Sequence, residues 1–144
     1  MNTALYWPML AMIVWTMGVG FLAVSRRVKE IRAKRIPLRM MARSRDISSV
    51  LDDTQAMDNF NNLLQVPFLF YVWCLASIML QLQDWLMLVG AWLYVGLRYW
   101  HTTIELTHNR VMQRFRVWMT SNVTLVILWG GTTASLLVLP SPRG

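Results

Sequence analysis

Four apolar stretches separated by polar ones run along the chain, and the first, residues 4–24, carries no charge. A bilayer core about 30 Å thick needs roughly 20 apolar residues of helix, so this run is long enough to cross one. Residues 63–82 and 117–139 are two more such runs. The remaining run, residues 85–99, is shorter, roughly 22 Å of helix at about 1.5 Å per residue. Arg98 falls in its last turn, and the segment spans a bilayer if Arg98 snorkels to the headgroups. The pattern predicts an all-α integral membrane protein, one four-transmembrane-helix bundle with spans at about 4–24, 60–82, 85–108 and 115–139 and a basic loop at 25–58. A tight turn at residues 81–84 pairs the second and third helices as an antiparallel hairpin. The first helix is expected to run about three turns past the bilayer until Pro37 interrupts it. The second begins near Asp58, after a polar stretch with Asp46, Asp52 and Asp53, and Pro67 inside it removes one backbone hydrogen bond and bends it.

Charge fixes an orientation for this bundle. The chain is 56% hydrophobic with eight Trp, yet its net charge is +7. Residues 26–45 hold nine Lys or Arg against one Glu, and Arg110, Arg114 and Arg116 follow the third span. The turn at Gln83 and Asp84 and the residues before the first span have no Lys or Arg. By the positive-inside rule both basic loops are cytoplasmic and both termini lie on the other side. The first run does not read as a cleavable signal, because its positive charges follow it. The basic surplus hugs membrane ends without an aromatic and basic nucleic-acid motif, so anionic lipid headgroups are its expected partners and nucleic acid is not. Cys74, the single cysteine, reads as a packing residue inside the second span. Gly18, Gly20, Gly90, Gly96 and the "GGTTAS" at 130–135 read as places where helices approach closely. The "NVT" at Asn122 lies inside the fourth span, where it cannot be glycosylated.

Polar residues concentrate at the cytoplasmic end. Arg98, His101, Glu105 and His108 are spaced i, i+3, i+7, i+10 and form one stripe on a helix, which lies in water or lines a site. Asp58, Asn62 and Gln65 form a second stripe at the start of the second helix, on the same leaflet. Ionisable groups near hydrocarbon usually face a bundle interior or a wet cavity, and a cavity ringed by these arginines suits an anionic ligand. Duller readings compete: Arg98 snorkels to phosphates, and Arg110, Arg114 and Arg116 only hold topology. His101, Glu105 and His108 have the spacing of a metal site, but no fourth ligand suggests itself and Glu105 can pair with Arg98 or His101. No Gly-rich phosphate loop or Ser-His-Asp pattern is present.

The four-span outline, the Asn-rich start of the second helix leading to "VPFLFY", and "RYWHTTIELTHNRVMQR" resemble the MAPEG family, the membrane-associated proteins of eicosanoid and glutathione metabolism. The likeness covers nearly the whole chain. It is closest to bacterial members with "NxxNLxExP" before the second span and "RxxHxxxxxxxNRVxxR" after the third, which places the protein in a bacterial inner membrane. The resemblance implies a homotrimer of four-helix subunits that binds glutathione as cosubstrate between subunits near the cytoplasmic face. It implies that Arg98 and His101 contact glutathione, that Arg114 stabilises the thiolate, and that Arg110 is its basic neighbour. Asn59, Asn62 and Gln65 match the ligand-binding Asn and Glu of the second helix less cleanly, and Arg26 and Arg27 match by position alone. Glu105 stands where a ligand-binding Tyr is common, and either repels glutathione's carboxylates or holds its amine. Phe115 stands where some enzymes have a thiol-assisting Ser. Arg114 alone could still help, since a neighbouring cation lowers a thiol's pKa from about 8.5.

The sequence is compatible with three functions. The first is a glutathione transferase or peroxidase that attacks a lipophilic electrophile delivered from the bilayer. The second is a non-catalytic lipid-binding or regulatory protein on the same scaffold, which Glu105 and Phe115 favour. The third is a small transporter, weakened by the lack of charge at mid-bilayer.

Overall fold

The structure, a computed structural model, describes residues 3–36, 55–108 and 110–138. Four helices follow one another: α1 (Tyr6–Ala33), α2 (Gln55–Met79), α3 (Trp85–Leu106) and α4 (Val111–Val138). Pro37 and the acidic stretch around Asp46, Asp52 and Asp53 lie outside the described residues.

α1 ends before Pro37. Arg35 takes a left-handed conformation with φ 49, while the Ile36 N–H reaches the Ile31 carbonyl at 3.2 Å and the Arg35 N–H reaches Arg32 at 3.3 Å. Those two bonds are a Schellman cap, which satisfies carbonyls that the last turn would leave bare. The second cap of this kind closes α2, with Gln81 at φ 57 and the Leu82 N–H on the Ser77 carbonyl at 3.0 Å. Asp84 then accepts the Met87 N–H at 2.7 Å and starts α3, giving the expected hairpin. α2 begins at Gln55, about one turn earlier than Asp58, and runs through Pro67 as one helix.

The N–H of Leu5 donates to Gln83 Oε1 at 3.3 Å, so α1 starts beside the α2–α3 turn and the helices alternate in direction. α1 packs chiefly on α2 and α4 chiefly on α3, while α1 and α4 do not meet among the described residues. α1 is fastened to α3 by aromatic contacts: Trp15 stacks on Tyr99 with centroids 4.1 Å apart, and the Tyr99 hydroxyl donates to the Ala11 carbonyl at 2.8 Å. The core is aromatic as well. Phe70 stacks on Tyr94 at 4.5 Å, and buried Trp73 donates to Thr132 Oγ1 at 2.8 Å and also faces the Leu128 carbonyl at 3.2 Å. Cys74 packs in this core.

Outside the core the bundle is apolar. Phe21 (78% exposed), Met79 (82%) and Leu137 (82%) present side chains that water would penalise and hydrocarbon would not. α1, α2 and α4 are long and apolar enough to cross a membrane, with mean hydropathy 1.8, 1.6 and 1.4 over their best windows. α3 is not among them, because it carries Arg98, His101 and Glu105. Its polar groups are buried and its exposed face holds Trp85, Leu86, Val89, Trp92 and Leu93, so the bundle, not the lipid, receives the polar side chains.

Of the glycines expected at close approaches, two stand against a neighbouring side chain inside the subunit. A Cβ on Gly20 would lie 2.7 Å from the Phe60 ring, and one on Gly90 would lie 2.7 Å from Leu128 Cδ2. A Cβ on Gly18, Gly96, Gly130 or Gly131 meets nothing within 4 Å. Gly90→Val should therefore cost about 1–3 kcal/mol through overpacking of Leu128. Gly96→Ala should be neutral or stabilising by up to about 1 kcal/mol, since glycine is the poorer helix former. Thermal unfolding in mild detergent compares the two, and equal midpoints would show that α3 and α4 do not pack through Gly90.

Candidate functional site

The ends of α1 and α3 and the beginnings of α2 and α4 share one end of the bundle, and the polar residues gather there. Arg98 turns inward. It is fully buried and donates from Nη2 to the Asn62 carbonyl at 3.0 Å, so the expectation that it snorkels is corrected. The physical cause is the apolar surround: lipid solvates no charge at this depth, whereas a guanidinium turned into the bundle meets a backbone carbonyl of α2.

Next along α3, Thr102 links three helices: its hydroxyl donates to Asn59 Oδ1 at 3.1 Å and accepts from Trp15 Nε1 at 3.3 Å. Asn59 is fully buried and holds the helices together behind the site. Glu105, 1% exposed, accepts from Arg114 Nη1 at 3.2 Å, and its Oε2 lies 3.7 Å from His101 Nδ1. Arg114 reaches it because α4 begins at Val111, with the Arg114 N–H on the Arg110 carbonyl at 2.9 Å, just after α3 ends. Buried carboxylate and partly exposed guanidinium thus clasp α3 to α4. Breaking such a pair by removing one partner is costly, because the other charge stays behind.

In front of this pair a pocket of ≈ 340 Å³ opens between α2, α3 and α4. Asn62, His101 and Arg114 form its polar wall, and Val111, Phe115 and Trp118 its apolar one. Phe115 and Trp118 stack at 6.1 Å with an interplanar angle of 28°. Apolar lining with a few convergent polar groups, at a volume within the usual 300–1,000 Å³, is what small-ligand sites look like.

The other expected site residues stand elsewhere. Gln65 and Asp58 are exposed on α2, and Arg110 is exposed before α4. Arg26 and Arg27 are half-buried at the end of α1, where Arg26 helps to line a groove of ≈ 360 Å³ with Lys29, Glu30 and Ala33. His108 lies beyond the end of α3, exposed, with Nδ1 2.9 Å from the Thr107 hydroxyl. Among the described residues no three His, Cys, Asp or Glu side chains gather as a metal site. Val111 and Trp118 were not singled out from the sequence, although 111, 114, 115 and 118 share one helical face and Arg114 on that face pointed to them.

The sequence model of the MAPEG family matches residues 5–134, which takes in α1 to α3, most of α4 and every residue of the pocket. The chain belongs to the MAPEG family. No curated protein and no solved structure gives a significant match to it. As a MAPEG protein with three helices able to span, it is an integral membrane protein with an all-α bundle fold.

Proposed function

We propose that this MAPEG protein binds glutathione in the Asn62, His101 and Arg114 pocket and either conjugates its thiol to lipophilic electrophiles, as a transferase, or reduces them, as a peroxidase. The observation that carries the reading is the two-sided pocket. A guanidinium, an imidazole and an amide face an anionic, polar thiol, while Phe115, Trp118 and Val111 face an apolar acceptor at the lipid-exposed surface. Arg114 stabilises the thiolate, His101 and Asn62 hold the peptide, and Arg98 acts through the Asn62 backbone that it grips. This end of the bundle faces the cytoplasm, where the thiol is available. Turnover of glutathione with an activated aryl chloride, in purified protein reconstituted in lipid nanodiscs, is the test.

One observation favours a second reading, a non-catalytic lipid-binding or regulatory protein. Glu105 already accepts from Arg114 at 3.2 Å, which spends part of the cation's charge inside the protein. Glutathione binding without turnover would support that reading, and absence of binding would remove both glutathione readings.

The subunits are proposed to assemble as a homotrimer, the number that the MAPEG resemblance implies, and Gly18, Gly96, Gly130 and Gly131 leave open helix surfaces flanked by exposed apolar side chains for such contacts. Native mass spectrometry in mild detergent should show three chains, and monomers or dimers at working concentration would contradict it.

A further inference from the structure

We propose that His101 is the base that takes the thiol proton at this site, with Glu105 behind it as the positioning carboxylate. The proposal rests on the glutathione reading above and adds a proton acceptor to it. Two buried polar atoms face each other, neither in hydrogen-bond geometry with a partner: His101 Nδ1 and Glu105 Oε2, 3.7 Å apart, with the Asn62 side chain also beside the Glu105 carboxylate. An unsatisfied buried donor and an unsatisfied buried acceptor are each costly, and a small rotation of the imidazole closes the gap between these two. A proton on Nδ1 directed at the carboxylate leaves the ring's lone pair on Nε2. His101 lines the pocket, and with Nδ1 turned to Glu105 the nitrogen left for a ligand there is Nε2.

Glu105 serves two groups at once. Its Oε1 receives Arg114 Nη1 at 3.2 Å and its Oε2 orients His101, while Glu105 itself does not line the pocket. One buried carboxylate therefore sets the spacing between a base and a cation. Arg98 and Arg114 are the cations that bear on both the imidazole and the carboxylate, and Asp58 also bears on Glu105. That arrangement splits the work on a thiol: the base removes the proton and the guanidinium receives the resulting anion.

The step balances without another reactant. The S–H bond breaks and an N–H bond forms at Nε2, giving an imidazolium next to Glu105 and a thiolate next to Arg114. The sulfur lone pair then forms an S–C bond with the acceptor. With an aryl chloride the C–Cl bond breaks, chloride leaves with the bonding pair, and the imidazolium returns its proton to water. Nothing is oxidised or reduced.

The test compares His101→Gln and Glu105→Gln with the parent in nanodiscs, in single turnovers of saturating glutathione with an activated aryl chloride. Glutathione affinity is measured separately by calorimetry. His101→Gln should slow the step by on the order of 10²- to 10⁴-fold, the usual contribution of a general base. The slowing should shrink when glutathione is replaced by an analogue with a more acidic thiol, which needs no base to ionise. Glu105→Gln should show the same dependence more weakly, and Glu105→Asp should restore part of the rate. Should His101→Gln not fold, Glu105→Gln carries the same readout. A His101→Gln protein that reacts at the parental rate overturns the proposal, as does a loss that ignores thiol acidity. Parent protein that binds glutathione yet never turns over also overturns it. Parent protein that binds none fails the glutathione reading itself, and the proposal falls with it.

Discussion

Arg114→Ala is expected to weaken glutathione binding by about tenfold to more than a hundredfold. The charge-assisted hydrogen bonds lost on truncation are worth roughly 1.5–3 kcal/mol, which converts to that range of affinity. Arg114 is the one residue of the polar wall that carries a permanent positive charge, and its side chain is 32% exposed, available to a ligand while anchored by Glu105. Arg116→Ala removes the same charge from the same helix, but Arg116 is exposed and does not line the pocket, so its affinity should stay near the parent's. Arg114→Ala also leaves Glu105 without its guanidinium. The double variant Arg114→Ala with Glu105→Gln removes that uncompensated charge and should recover stability without recovering affinity. Calorimetric titration with glutathione reads all three proteins. Equal affinities for Arg114→Ala and Arg116→Ala would mean that Arg114 contributes only bulk charge.

Trp73→Ala should destabilise the bundle by about 3–5 kcal/mol, the usual cost of truncating a packed aromatic. Trp73 is fully buried, stacks near Phe70 at 6.0 Å, and ties α2 to α4 through Thr132 and the Leu128 carbonyl. Two losses combine: a cavity opens, and Thr132 is left without its indole donor in a core that water does not reach. Trp73→Phe keeps most of the volume and removes only the donor, so it should fall between the parent and Trp73→Ala. Thermal unfolding in detergent ranks the three. Equal midpoints would show that the α2–α4 contact does not depend on this residue.

Much of the architecture was legible because long apolar runs admit few solutions. The charge-free run at residues 4–24 has to be α1, and the polar break at Gln83 and Asp84 has to be a turn, since lipid satisfies neither charges nor bare backbone. The pocket was half legible. His101 and Arg114 stood out as ionisable groups beside hydrocarbon, and Asn62 as part of a polar stripe. What the helical spacing could not show was direction within the bundle. Arg98 shares a stripe with His101, yet it donates to the Asn62 carbonyl of α2, a tertiary contact with no local signature. Glu105 likewise reads as a ligand contact when only its helix is considered. It becomes an inner anchor once α4 brings Arg114 to within 3.2 Å of it. Val111 and Trp118 were passed over because an apolar residue on a membrane helix carries no distinguishing chemistry until a cavity forms beside it.

The proposal that this MAPEG protein holds glutathione as a thiolate against Arg114 is open to one direct measurement, the ultraviolet absorbance of the thiolate while glutathione is titrated into purified protein at neutral pH. Free glutathione is mostly protonated there, since an unperturbed thiol has a pKa of about 8.5. A saturable thiolate band is expected with the parent protein, and little or none with Arg114→Ala. No band with the parent protein, or the same band with both proteins, would rule out a thiolate held by Arg114.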